Sequence, residues 1–225
     1  MGRDWLSRRK RDPYYRAAKR DGLRSRAAFK ILQIDDRFEI LYEGDTVVDL
    51  GAAPGGWSQV CRGRVGDTGR VVAVDLVPMH VDGVEFLRGD IADPVFIESL
   101  ATTVPEAHTV LSDVSPHLSG QRALDHLRSV DIVRQVFTVA RRVLRPGGSL
   151  VAKVFQGEEF PGLLNELRRE FGEVHGHTPK ASVAESRETY IVAAGYGLRR
   201  SASAPAAGTS RRRAGPPGAR GPRRG

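Results

Sequence analysis

The sequence predicts an α/β fold, a mostly parallel seven-stranded sheet with helices on both faces. Two observations carry that expectation. From Thr46 onward, short valine-rich apolar runs alternate with longer segments of helical periodicity, the pattern of repeated βαβ units. The first run, Thr46-Val47-Val48-Asp49-Leu50, leads straight into the glycine-rich turn Gly51-Ala52-Ala53-Pro54-Gly55-Gly56-Trp57, which opens a helix. A turn of that kind lets the backbone come close to a bound ligand, because side chains at Gly51, Gly55 or Gly56 would fill the space it needs.

The elements follow in order. A basic arm, residues 1–24, precedes a first helix from Ser25 to about Ile40, with Ser25 as its cap and Ala28, Phe29, Leu32 and Ile40 among the apolar positions. Strands are expected at Thr46–Leu50, Arg70–Asp75, Val84–Leu87, Thr109–Ser112, Ser149–Phe155, about Glu173–His177 and Tyr190–Ala194. Helices fill the gaps at Gly56 to about Gly63, Pro94 to about Thr102, Arg122 to about Leu144, and Glu158 to Phe171. Arg145-Pro146-Gly147-Gly148 reads as the stop of the long helix and a turn into the next strand. The folded domain is expected over 25–197. The Ala-, Gly-, Pro-, Ser- and Arg-rich tail, 198–225, has little to bury and is expected to be disordered.

Composition narrows the function classes. With 225 residues, 40% apolar and 28% charged, the chain suits one domain with a full core. No apolar stretch approaches the roughly 20 residues needed to cross a bilayer, and Gly2-Arg3-Asp4-Trp5 is no signal peptide, so a cytoplasmic protein is expected. The lone Cys61 excludes an internal disulfide and a cysteine-based zinc cluster, and His175 and His177 lack a third partner, so no metal site is expected. The net charge of +8 is concentrated at the two ends. Arg8-Arg9-Lys10-Arg11, Arg16, Lys19-Arg20, Arg24 and Arg26 load the arm, with Trp5, Tyr14 and Tyr15 among them, and Arg199-Arg200, Arg211-Arg212-Arg213, Arg220 and Arg223-Arg224 load the tail. Cations mixed with aromatics suit a phosphate backbone with unstacked bases, so RNA or DNA is the expected partner.

The acidic residues choose the cofactor. The glycine turn alone could serve a nicotinamide or flavin dinucleotide, or S-adenosylmethionine. Asp75 closes the second strand, where a carboxylate accepts from ribose hydroxyls, and Asp90 follows the third, where it accepts from an exocyclic amine such as adenine N6. A pyrophosphate wants bare helix N-terminal amides and little negative charge. Asp49, Asp75, Asp90 and Asp113 at four successive strand ends favour a cationic ligand instead, and the sulfonium and ammonium of S-adenosylmethionine fit. Lys30, Asp113, Lys153 and Glu188, at element ends far apart in the chain, form the expected catalytic set, since four charges brought to one face would be costly without a function.

These residues sit in strings that resemble the FtsJ/RrmJ ribosomal RNA methyltransferases: Tyr14-Tyr15, Arg24-Ser25-Arg26-Ala27-Ala28-Phe29-Lys30, the run from Val47 to Gln59, Ser112-Asp113, Pro146-Gly147-Gly148, Lys153-Val154-Phe155-Gln156-Gly157 and Ser186-Arg187-Glu188-Thr189-Tyr190-Ile191-Val192. The resemblance spans about Tyr14 to Gly195. It implies a Rossmann-like, S-adenosylmethionine-dependent methyltransferase with a final antiparallel strand, acting on a ribose 2′-hydroxyl of RNA. It places the family's Lys-Asp-Lys-Glu tetrad on Lys30, Asp113, Lys153 and Glu188, and its cofactor contacts on Gly55, Trp57, Asp75, Asp90 and Asp113. The implied substrate is large-subunit ribosomal RNA, at a uridine of the A-loop, and a monomer is expected to act. Relatives of the same fold modify the transfer RNA anticodon loop, and a catalytically silent ribosome-assembly protein is a reading of another class; the complete tetrad argues against the latter.

The chemistry asks for these residue types. A 2′-hydroxyl is a poor nucleophile at neutral pH, so a base must take its proton during in-line attack on the methyl group. Lys153 is assigned that role, with Asp113 orienting it beside the methyl donor, Lys30 steering the ribose or phosphate, and Glu188 holding the lysines. Whether Lys153 yields its proton depends on desolvation and Lys30 on one side, and Asp113 and Glu188 on the other.

Overall fold

The computed structural model describes residues 12–182 and 187–198. The expected clusters Arg8-Arg9-Lys10-Arg11 and Trp5, residue Ser186 and the tail from Arg199 lie outside the described residues. Six helices and seven strands run in order over the described residues. They are α1 Pro13–Arg20, α2 Ala28–Phe38, β1 Thr46–Leu50, α3 Gly56–Val65, β2 Arg70–Asp75, β3 Glu85–Arg88, α4 Pro94–Thr103, β4 Ala107–Ser112, α5 Arg122–Val143, β5 Leu144–Phe155, α6 Phe160–Leu167, β6 Phe171–His177 and β7 Glu188–Tyr196. The strands form one sheet in the order β3-β2-β1-β4-β5-β7-β6. β1 to β5 are parallel, and β7 runs antiparallel between β5 and β6. This is the Rossmann-like arrangement, with the strand order reversing between β1 and β4.

The strands are central and buried, which explains their unbroken valine runs. Val71, Val72, Ala73 and Val74 are all inside, as parallel strands covered on both faces require. Alternate residues divide between two cores. Val48, Leu50, Val110, Leu150, Ala152, Val154 and Ile191 pack with α4, α5 and α6, where α5 contributes Val130, Val133, Val136, Phe137, Ala140 and Val143 at helical spacing. Val47, Val71, Leu111, Val151, Tyr190 and Val192 face the opposite way, against Ala28, Ile31 and Ile34 of α2 and Trp57, Val60, Cys61 and Val65 of α3. Lys153 and Glu188 have the parity of Val151 and Tyr190, so the strands aim them at the face that α2 covers.

Several boundaries differ from expectation, each for a local reason. A helix, α1, forms inside the basic arm, with Pro13 at its first turn and the Asp12 carboxylate accepting from the Tyr14 and Tyr15 amides at 2.9 and 3.3 Å. Tyr14 packs its ring on Phe29, 5.5 Å between centroids, so one of the arm's aromatics docks α1 onto α2. Ser25 does not cap α2: Ala27 precedes its first residue with no side-chain cap. Arg145-Pro146-Gly147-Gly148 lies within β5 rather than in a separate turn, and the β4 register shifts between Ala107 and Thr109 to accommodate it. α6 ends at Leu167 because Phe171 already belongs to β6 and is buried in the core.

Candidate active site

The strand register assembles the tetrad. In the parallel pair, Ser112 of β4 stands beside Ala152 of β5, which places Asp113 next to Lys153. In the antiparallel pair, Phe155 faces Glu188 and Lys153 faces Tyr190, so the start of β7 returns to the carboxyl end of β5. Lys30 comes down from α2 between the buried Ala28 and Ile31. All four expected residues meet there.

The Lys153 Nζ donates to the Asp113 backbone oxygen at 2.7 Å and lies 3.1 Å from its Oδ1. Lys30 Nζ is 2.6 Å from Glu188 Oε1 and 3.8 Å from Asp113 Oδ1. Both lysines are buried, which is tolerable only with the carboxylates in place. Burial by itself would raise the Glu188 carboxyl; Lys30 first, then Lys153 and the Ser182 hydroxyl at 3.0 Å, outweigh it and hold the group below its ordinary value. Two lysines thus stand against two carboxylates.

Asp113 also belongs to a second feature. A cavity of about 400 Å³ opens at the carboxyl ends of β1, β2 and β4, where the strand order reverses, the usual ligand crevice of such sheets. Gly51, Asp75, Asp90 and Asp113 line it, with Ile132 and Gln135 of α5 as its far wall. Gly51 sits at φ +72°, and a Cβ there would meet Val114 Cγ2 at 2.1 Å, so neither the turn nor the cavity wall admits a larger residue. Asp75 is fixed by accepting from the Ala53 amide through Oδ2 and the Val77 amide through Oδ1, at 2.9 and 2.8 Å. Asp90 accepts from the Ala92 amide at 2.9 Å. A larger open groove of about 1130 Å³ follows β6 at one edge of the sheet, but no tetrad residue lines it.

The other expected site residues sit elsewhere. Gly55, at φ +98°, caps α3, and a Cβ on it would meet Val81; it does not line the cavity. Trp57 is buried, donates from Nε1 to the Ala27 oxygen at 2.8 Å and packs on Tyr190. Of the four strand-end aspartates, Asp49 is not part of the ring: it turns under α3, where the Ser58 hydroxyl donates to it at 2.6 Å. Burial, opposed by Ser58 and reinforced by Asp113 and Asp75, pushes its carboxyl up to about 7. Tyr190, by contrast, was not singled out from the sequence, yet its hydroxyl lies 2.7 Å from Asp113 Oδ1 and 3.1 Å from Glu188 Oε1. The signal was its spacing, two residues beyond Glu188 on the same strand face. No group of three His, Cys, Asp or Glu suited to a metal occurs among the described residues.

Comparison with known proteins agrees with this geometry. The FtsJ-like methyltransferase family model matches residues 23–196. The chain is 48% identical over 184 residues to a protein of Archaeoglobus fulgidus named ribosomal RNA large subunit methyltransferase E, covering 81% of this chain and 95% of the relative. Proteins of that name from Methanothermobacter thermautotrophicus and Azorhizobium caulinodans are each 44% identical, covering 85% of this chain and 93% and 82% of theirs. The crystal structure of a ribosomal RNA methyltransferase from Plasmodium falciparum superposes with a TM-score of 0.70 at 24% identity over 78% of this chain and all of its own, a likeness of fold. With its motif order, its sheet and a matching family model over residues 23–196, the chain belongs to the FtsJ-like methyltransferase family.

Proposed function

We propose that the protein transfers a methyl group from S-adenosylmethionine to a ribose 2′-hydroxyl of large-subunit ribosomal RNA, at a uridine of the A-loop, and acts as a cytoplasmic monomer. One observation carries the reading: Lys153, buried and held twice by Asp113, is joined through that residue to an acidic cavity that Asp113 lines. The names of the curated relatives point to the same class of RNA.

The cavity suits S-adenosylmethionine. Its volume of about 400 Å³ is in the range of small-molecule sites. Asp75 and Asp90 offer acceptors to ribose hydroxyls and an adenine amine, and the acidic lining matches a cation. Gly55 and Trp57, which do not line the cavity, serve the same cofactor indirectly, Gly55 by turning the chain into α3 and Trp57 by packing behind that turn. When bound, S-adenosylmethionine supplies an electrophilic methyl group.

The chain's own residues do the rest. As a neutral amine, Lys153 Nζ has two N–H bonds, which Asp113 takes, and one lone pair, which is left for the 2′-hydroxyl. Through that position Lys153 accepts the hydroxyl proton as the oxygen attacks. Asp113 holds the amine in place, Glu188 anchors Lys30, and Lys30 offers a positive charge to the ribose or its phosphate. Arg16, Lys19 and Arg24, exposed on the segment that precedes α2, contribute phosphate contacts with the rest of the arm.

The test is transfer of radiolabelled methyl to unmodified large ribosomal subunits, free ribosomal RNA and transfer RNA in parallel, with the 2′-O-methylated nucleotide mapped. Label at an A-loop uridine is the expected result. Label confined to transfer RNA would move the enzyme to the anticodon-loop branch. Cofactor binding with no label in any RNA would sink the catalytic reading.

A further inference from the structure

We propose that Tyr190 is a positioning residue of the transfer, whose single hydroxyl proton serves Asp113 against Glu188 and so sets how tightly Asp113 holds Lys153. This rests on the methyltransferase reading above. Tyr190 lies directly across the β5–β7 ladder from Lys153 and is fully buried. Its ring is packed on the Trp57 indole, 5.7 Å between centroids, and Lys30 Nζ lies 5.6 Å above it.

The hydroxyl is in a competition it cannot satisfy on both sides. Ionised carboxylates only accept, and a phenol has one hydrogen. The shorter contact, 2.7 Å, gives that hydrogen to Asp113 Oδ1, while Glu188 Oε1 at 3.1 Å is already served by Lys30 and Ser182. The phenol keeps its proton: burial first, then the two carboxylates, raise it well above its ordinary value.

Asp113 Oδ1 is thus shared among Tyr190, Lys153 at 3.1 Å and Lys30 at 3.8 Å. Tyr190 approaches Asp113 from its fully buried side, so a donor removed there is not replaced, and the negative charge of Asp113 falls more fully on the neighbours that remain. The nearer of these is Lys153. An ammonium held more strongly by its carboxylate releases a proton at higher pH. A hydroxyl on Asp113 therefore keeps Lys153 in place without locking its proton there.

The experiment is the pH dependence of methyl transfer for wild type, Tyr190→Phe, and protein carrying 3,5-difluorotyrosine at position 190, with melting temperature and S-adenosylmethionine affinity measured alongside. Phe keeps the ring against Trp57 and removes only the donor; the fluorinated phenol is the stronger donor. For Tyr190→Phe the rising limb of the profile moves up by about one pH unit, a loss of roughly tenfold in rate on that limb, with cofactor affinity within a few-fold. For the fluorinated protein the limb moves the other way. If wild type transfers methyl and both variants keep the wild-type profile, whatever their melting temperatures, the role assigned to Tyr190 is wrong and the methyltransferase reading stands. If wild type labels no RNA, that reading falls and takes this one with it.

Discussion

Lys153, Asp49 and Glu188 show how burial assigns different work to charged residues a few ångströms apart. Lys153 is kept inside by two contacts from one residue, Asp113, and does not itself line the cavity, so its replacement removes the proposed base and leaves the cavity lining in place. Lys153→Ala is expected to lower methyl transfer by at least about 10²-fold. Calorimetric affinity for S-adenosylmethionine should stay within a few-fold, and near-normal turnover would remove Lys153 as the base. Asp49 is held by the Ser58 hydroxyl and amide, with no salt bridge to a cation among the described residues, and its carboxyl reaches about 7. Unfolded, the same group ionises near 3.9, so it favours the folded state below about pH 4 and loses that contribution as the pH rises to about 7. Asp49→Asn should flatten the fall in stability across that window, read from urea unfolding at a series of pH values. Parallel curves for the two proteins would place the titrating group elsewhere. Glu188, lowered by Lys30, behaves oppositely: its contribution is present above the unfolded carboxyl value and is lost on the acid side.

At the level of elements, the site depends on turns and register more than on any one side chain. The β1–α3 turn is shaped by Gly51, where positive φ coincides with a close approach of Val114. Gly51→Ala is expected to destabilise the fold by roughly 2–5 kcal/mol, combining the left-handed backbone penalty with overpacking. Differential scanning calorimetry should show a fall of about 4–20 °C, at roughly 2–4 °C per kcal/mol for a chain of this size, together with weaker cofactor binding. A melting temperature within a degree of wild type would mean that Val114 yields and the turn tolerates a side chain. α1 is tied down in the same manner. Arg26 pairs with the Asp12 carboxylate that caps α1 and donates to the Ala181 oxygen at 2.7 Å, joining the basic arm to the segment before β7. Arg26, which stands among the arm's cations in the sequence, is thereby partly committed to architecture.

For the whole molecule, the electrostatics divide into a cluster of two lysines paired with two carboxylates, an acidic cavity and a basic arm. Arg16, Lys19 and Arg24 are exposed on the described part of the arm. Replacing all three by Ala should weaken RNA binding and reduce the slope of log affinity against log salt by about 0.7 for each lost contact to single-stranded RNA. An unchanged slope in filter-binding titrations would show that this face does not meet RNA. The βαβ order and all seven strands were legible from the chain alone, because a two-faced sheet demands apolar runs and a ligand turn demands glycine; the four charged residues that meet at the site stood out as charges far apart in the chain. Local pattern could not show that α1 forms within the arm, that Asp49 turns beneath α3 while Asp75, Asp90 and Asp113 line the cavity, or that Trp57 is packed inside. Nor could it show the hydroxyl of Tyr190 between Asp113 and Glu188. Those facts depend on which strands become neighbours: Asp113 meets Lys153 only because β4 pairs with β5, and Tyr190 meets both only because β7 inserts antiparallel beside β5. Composition and spacing determined the kind of fold and the kinds of groups it carries; pairing across long stretches of chain decided which charges touch, since contact distances arise from the assembled sheet and not from separation along the sequence.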